Sequence, residues 1–466
     1  MVRDMTKGRP MPIIIRFAIP LLLGTVFQQF YNMADTIIVG RFIGKEALAA
    51  IGTTGALNFL VLGFVIGICA GFCIPVSQRF GAGDTTEMRR FAANAVYLCV
   101  VFAVVLTTLT MLFARQLLQF MSVPESIIDL SYSYIIFIFG GIPMAMAFNI
   151  LASMLRALGD SKSPLYFLAV SSVVNVGLDL LFIIGFGWNQ LEDVKYIGLA
   201  TVIAQSVSAV LCLIYVRKNY PILRCNKEEK KFSAAHSKKL LSMGLPMGLQ
   251  FSITAFGAVI LQRAINGLGT IAIASLTTGN RISLLLFQPM EALGLTMATF
   301  CGQNLGAKKL DRIKQGMRLS MIIQMIYSVL SGAVLWFFGR ALATIFIGNE
   351  EAEILDNVRF QLRVLGVSYF SIGILFIFRN ALQGLGYSVM AMSAGVCELV
   401  GRVAVAFLLV GRFGFYGACF AGPLSWFLAD AVLLPAYFVI MKRLKIKVGA
   451  DDSVCPQKTE PEINTA

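Results

Sequence analysis

Residues Ala47 to Ser77 read ALAAIGTTGALNFLVLGFVIGICAGFCIPVS, a run without a single Asp, Glu, Lys or Arg. About 20 such residues are enough for a helix to cross the roughly 30 Å of bilayer hydrocarbon. A membrane strand would instead alternate apolar and polar positions over about 10 residues, and this run does not. It is therefore read as a transmembrane helix.

Working outward, comparable apolar stretches fill almost the whole chain, at 13–39, 47–77, 91–113, 128–156, 164–187, 196–216, 240–266, 276–301, 318–346, 356–381, 388–410 and 415–441. The 466 residues are 57% hydrophobic and 14% charged, with a mean hydropathy of +0.77, whereas soluble domains hold about 25% charged residues. The expected fold class is an all-α membrane protein of twelve transmembrane helices. Met1 to Gly8 is short and polar and no small-residue cleavage pattern follows, so the first helix is expected to belong to the mature protein.

The run that starts at Ala47 also exposes an internal repeat. Its Thr53-Thr54-Gly55 answers Thr277-Thr278-Gly279, and the QRFGAGD that begins at Gln78 answers QNLGAKKLD from Gln303. Ile19-Pro20 likewise answers Leu245-Pro246, and ALGDS from Ala157 answers GLGYS from Gly384. The separation hardly changes from one pair to the next, so the chain is two copies of one six-helix unit. An even number of spans gives both copies the same orientation, related by an axis along the membrane normal. The division is residues 1–216 for the first lobe, 217–239 for a solvated linker holding Lys227-Glu228-Glu229-Lys230-Lys231, and 240–447 for the second lobe. Residues 448–466, with Pro456 and Pro461 and little apolar surface, are expected to be a disordered tail.

A net charge of +14 invites a nucleic-acid reading. The Lys and Arg residues, however, crowd the loops on the side of the N-terminus, which places both termini in the cytoplasm and accounts for the charge without nucleic acid. Nine cysteines lie mostly in apolar stretches, with Cys69 and Cys73 one turn apart, and read as buried small hydrophobes. The single histidine, His236, has no metal partner nearby and is expected to be merely solvated. It also rules out a Ser-His-Asp triad within the spans. The loops GAGDTTEMRR and LGAKKLDRIKQG lack phosphate-loop spacing. No catalytic residue, enzyme activity or organic cofactor is expected, and no obligate protein partner.

Charges inside the spans are costly, on the order of 2.5–3.5 kcal/mol for a carboxylate at mid-membrane. In the first span Thr25, Gln28, Gln29, Asn32, Asp35 and Thr36 recur at spacings of three and four, one polar stripe on an apolar helix. In the fifth, Ser171, Ser172, Asn175 and Asp179 form a second stripe. Two carboxylates sharing one wet pocket repel each other, which favours uptake of a proton or of a small hard cation held by oxygen ligands. Buried hydrogen-bond anchors are the alternative. The second lobe lacks the pair: the position of Asp35 falls near Leu261 or Ala264 and that of Asp179 near Ala406. Glu398 and Arg402, one turn apart, read as a structural ion pair, while Glu291 and Asp430 are single acids open to either substrate attraction or a structural role.

QQFYNMADTIIVGRFIG from Gln28, RALGDSKSP from Arg156, NVGLDLLFIIGFG from Asn175 and GLATVIAQ from Gly198 together resemble the multidrug and toxic compound extrusion (MATE) family, in particular its bacterial DinF-like branch, over about residues 10–445. The resemblance implies a cation site, for H+ or Na+, made by Asp35, Asn175, Asp179 and Thr201. Gln205, which closes the last of these strings, is a further candidate for the polar lining. Gln250 stands where other members carry a glutamate after the proline of the seventh helix, so a second cation site is not expected. Export of amphipathic, often cationic compounds across the bacterial inner membrane in exchange for protons or sodium ions is the implied activity, with membrane lipids as surroundings. The alternatives are a flippase for a lipid-linked or headgroup-bearing substrate, which would call for a cationic cavity, and a non-transporting receptor or scaffold.

Overall fold

A computed structural model describes residues 4–121, 123–188, 190–348 and 351–454; residues 455–466, most of the expected tail, lie outside it. Every described element is helical. The order is α1 (Pro10–Phe42), α2 (Lys45–Gly81), α3 (Thr85–Leu112), α4 (Ala114–Phe120), α5 (Glu125–Gly140), α6 (Ile142–Ala157), α7 (Lys162–Leu180), α8 (Val194–Asn219), α9 (Ala234–Asn266), α10 (Thr270–Gly306), α11 (Leu310–Ile347), α12 (Ala352–Gly384), α13 (Ser388–Ala404), α14 (Val410–Ala418) and α15 (Ala421–Val454). Among the described residues eleven helical segments are long and apolar enough to cross a membrane, and the pair α5–α6 makes a twelfth span.

That twelfth span is not straight. The stretch read as one helix over 128–156 breaks at Gly140-Gly141 and bends by 46°, because Pro143 near the start of α6 has no N–H to continue the preceding ladder. Two other spans carry a π-helical turn, Leu181–Gly185 after α7 and Val405–Leu409 after α13. These occupy matching places in the two repeats. The eleventh span also runs further than the sequence suggested. Residues 411–418, read partly as a loop, stay helical through α14 with a break at Gly414 (φ 55°), and the turn falls at Cys419-Phe420.

The halves meet along α2. Gly67 and Gly71 of α2 face Gly244 and Gly248 of α9 so closely that a Cβ added to Gly67 would lie 2.5 Å from the Met247 carbonyl oxygen, and one added to Gly71 2.5 Å from the Gly244 Cα. Small residues four apart on both helices allow this backbone-to-backbone packing, which in lipid replaces the hydrophobic drive to associate. The first helix is shared. Ile14, Phe17 and Leu21 belong to the apolar core of the second half, whereas Ile38 and Val39 belong to that of the first.

The linker is largely exposed, as its charges imply, but it is not loose. It is pinned along α3: Arg89 donates from Nε to the Ile222 carbonyl at 2.7 Å and pairs with Glu229 at 3.3 Å. The Tyr97 hydroxyl donates to the Lys230 carbonyl at 2.8 Å, and buried Asn94 accepts from the Ser233 N–H at 2.9 Å. His236 is not simply solvated. Its ring nitrogens lie 2.7 Å from the Ser233 hydroxyl and 2.9 Å from Glu87, and its ring meets Phe91 edge-on at 4.6 Å. The linker's charges signalled solvent, but its backbone groups needed partners, and α3 supplies them.

The glycine crossing generates a direct test. Gly67→Ala places a methyl group against backbone that cannot swing aside, so the purified protein in detergent should lose about 1–3 kcal/mol of stability. Unchanged thermal unfolding of this variant would contradict the close approach of α2 and α9.

Candidate functional site

Asp35 sits in the last third of α1, and Asn175 and Asp179 are one turn apart on α7, the helix against which that part of α1 packs. Asp179 and Asn175 are wholly buried, Thr201 of α8 is nearly so, and Asp35 is half-buried. The two carboxyl groups are close enough to interact directly. In the amide orientation that satisfies its neighbours, the Asn175 nitrogen donates to Asp35 Oδ1 at 2.9 Å and to Asp179 Oδ2 at 3.1 Å, while its oxygen accepts from the Thr201 backbone N–H at 3.1 Å. The opposite orientation brings the nitrogen to the Thr201 hydroxyl at 3.3 Å and turns the oxygen toward the acids. Asp179 Oδ1 is buried without a hydrogen-bond partner.

The four residues Asp35, Asn175, Asp179 and Thr201 are thus one cluster. Tyr31, one turn before Asp35, joins it with its hydroxyl 3.4 Å from that of Thr201. Sequence reasoning passed over Tyr31, although its place four residues before Asp35 on the same helical face was the available signal.

The remaining candidates divide. Gln28, Asn32 and Thr36 of the α1 stripe are exposed, and Gln29 is half-buried; four-residue spacing puts Gln28, Asn32 and Thr36 on one line beside the acidic cluster. Ser172 is turned back to its own helix, donating to the Leu168 carbonyl at 3.0 Å. Gln205 is half-buried on α8. Gln250 is elsewhere, buried in the second half, and it belongs to a separate polar network.

That network surrounds Glu398. Arg402 approaches one of its carboxylate oxygens at 3.5 Å, as the spacing on α13 implied, but Arg379 of α12 approaches the other at 3.6 Å, so one acid is shared by two guanidinium groups. Arg402 also donates to the Thr254 carbonyl at 2.8 Å. In the Gln250 amide orientation that satisfies Arg379, its oxygen accepts from Arg379 Nε and Nη1 at 3.2 Å; the guanidinium also lies over the Phe376 ring at 4.9 Å. The Gln250 and Gln383 amides are 3.0 Å apart. Glu291 lies within electrostatic reach of Arg379. Asp430 accepts from the Ser371 hydroxyl at 2.6 Å, and its other oxygen is buried without a partner. Arg379 carried no local signal, because its partners come from helices distant in sequence.

The two halves therefore handle buried charge differently. The first brings together two acids with no basic side chain among the contacts described. The second places three acids and two arginines close together.

Comparison with known proteins follows the same lines. The MatE family model matches residues 20–181 and 246–408, one segment in each half. The chain is 27% identical to the probable multidrug resistance protein YoeA of Bacillus subtilis, over 72% of this chain and 73% of that protein. It is 26% identical to a protein of Shewanella oneidensis named as a FAD transporter, over 83% of this chain and 85% of that one. Among solved structures, a MOP superfamily transporter from Pyrococcus furiosus superposes with a TM-score of 0.87 at 21% identity, covering 95% of this chain and 98% of the other.

The shared acid in the second half carries its own prediction. Glu398→Gln leaves the half-buried Arg379 and Arg402 without their shared counter-charge and should cost about 3 kcal/mol, whereas Ser371→Ala removes one hydrogen bond and should cost about 1–2 kcal/mol. Thermal or denaturant unfolding of both variants in detergent checks the order.

Proposed function

Because this chain belongs to the MATE family of transporters, we propose that it is a secondary active exporter of small amphipathic or cationic organic compounds, working in antiport with protons or sodium ions. Asp35 and Asp179 carry the coupling. The observation that supports this most directly is the meeting of those two carboxyl groups across the Asn175 amide, with one buried oxygen of Asp179 left over. Two negative charges in contact in a low-dielectric setting repel, and a bound proton or small cation removes that repulsion. Occupancy therefore sets how tightly α1 holds to α7.

The donor set fits either ion. With the Asn175 nitrogen turned toward the acids, the site suits a proton shared between carboxyl groups. With the oxygen turned inward, both carboxylates, the amide and the Thr201 hydroxyl present only oxygen, the ligand type a hard cation takes. The choice of ion thus rests on the orientation of one amide. Since α1 is packed on α10 at its start and on α7 at its end, a change in its grip on α7 is felt by both halves, and Pro20 gives it a place to bend. The line of Gln28, Asn32 and Thr36 would meet a polar cargo beside the acids.

We place the protein in the bacterial cytoplasmic membrane with both termini inside, on the strength of the Lys and Arg bias of its loops. A lipid-linked or headgroup-bearing cargo would call for unneutralised cationic charge, and the arginines of the second half share Glu398 instead.

Asp35→Asn and Asp179→Asn should each reduce gradient-driven dye efflux from everted vesicles by at least about tenfold, with insertion and expression unchanged. Imposing sodium and pH gradients separately identifies the coupling ion. Full activity in both variants would end the proposal.

A further inference from the structure

At the end of the bundle that carries the N-terminus, the repeated motifs do something that neither the acidic cluster nor the family reading uses. Gln78, in the last turn of α2, donates from Nε2 to the Gly384 carbonyl at the end of α12, at 2.9 Å. Gln303, in the last turn of α10, donates from Nε2 to the Ala157 carbonyl at the end of α6, at 2.8 Å. Gln78 and Gln303 are equivalent residues of the two repeats, as are Ala157 and Gly384. Each half thus extends one glutamine to the same helix end of the other half.

The backbone is reciprocal as well. A Cβ on Gly81 would stand 1.9 Å from the Gln303 carbonyl oxygen, and one on Gly306 would stand 1.8 Å from that of Gln78. Each glutamine therefore rests its carbonyl on the partner glycine while its side chain crosses the seam. Gln303 is fully buried and has a further contact, accepting from the Met5 N–H at 2.8 Å. The segment around Met5 is itself held by Arg312, which donates to the Lys7 carbonyl at 2.9 Å and the Gly8 carbonyl at 2.6 Å. Among the described residues, every hydrogen bond between the halves lies between this end and the level of Ser252, whose hydroxyl reaches the Leu60 carbonyl at 3.4 Å. None joins the opposite ends of the halves.

We infer that Gln78 and Gln303 are paired gate residues of the transport cycle, positioning groups that hold the N-terminal end of the seam shut and must release together when that end opens. The chemistry suits a gate that works repeatedly. A neutral amide–carbonyl bond has a modest net strength and water replaces it readily. The inference rests on the proposed export function: an exporter whose two halves rock against each other must open this end to load its cargo, and only such a cycle requires the bonds to break.

The test is a distance measurement on the full-length protein, with spin labels introduced as non-canonical amino acids at Thr86 and Asp311, exposed residues beside the α2–α3 and α10–α11 turns. Gln78→Ala and Gln303→Ala should each raise the ratio of open to closed populations at this end by about five- to tenfold. The effect should be larger for Gln303, which also loses Met5, and the effects should multiply in the double variant. Gln78→Glu and Gln303→Glu keep the shape but cannot donate as carboxylates, and should open the end as well. Thr296→Ala, which removes a buried hydroxyl bonded only to its own helix at the Ala292 carbonyl, should leave the distances unchanged. Glutamine variants that lower thermal stability without moving the distance distribution, or that move it no more than Thr296→Ala does, overturn the inference. The readout needs no flux, so loss of the antiport proposal through active Asp35→Asn and Asp179→Asn proteins would be a separate result.

Discussion

Within a bilayer each helix satisfies its own backbone, and lipid gives two helices little reason to adhere. The two halves of this chain consequently depend on how near their backbones can come. That approach is made along α2, where glycines lie against α9 and, at the helix end, against α10. Side chains at these positions would force the helices apart. Much else follows from that seam: the crossing of the glutamines, the seating of the N-terminal segment, and the sharing of α1 between two apolar cores.

Against this symmetric frame the charges are deliberately unsymmetric. In the first half Asp35 and Asp179 stand together with only amide and hydroxyl neighbours, an arrangement whose energy depends strongly on whether a positive ion is present. In the second half Glu398 lies between Arg379 and Arg402, an arrangement that is largely self-compensating. On the proposed function, the first repeat would respond to an ion and the second would give it a stable body to move against. Because α1 carries Asp35 and also packs on α10, the proposed change of charge would reach the interface without a dedicated relay.

The parts legible in the sequence were those governed by periodicity and cost. Uncharged runs located the spans, three- and four-residue spacing located the stripes, and the expense of a buried carboxylate singled out Asp35 and Asp179. The parts not legible there have a common origin. The linker and His236 were judged by composition, which cannot say that α3 offers Asn94, Arg89 and Glu87 as partners. Arg379 lies near the end of a span, where arginines usually reach water, and only the fold turns it inward to Glu398 and Gln250. The bend at Gly140-Gly141 and the helical stretch of 411–418 were missed because glycine and proline signal a break without stating whether the helix resumes.

What the amino-acid sequence determined alone was the solvent of this protein, its number of spans, its internal duplication and the identity of its costly residues, since each of these follows from local composition or from self-comparison. Only the tertiary structure decided which costly residues meet. It set Asp35 beside Asp179, gave Glu398 a second arginine, and crossed Gln78 and Gln303 between the halves. The physical reason is that such contacts depend on distances between helices remote in the chain, and those distances are set by backbone packing that no single segment encodes.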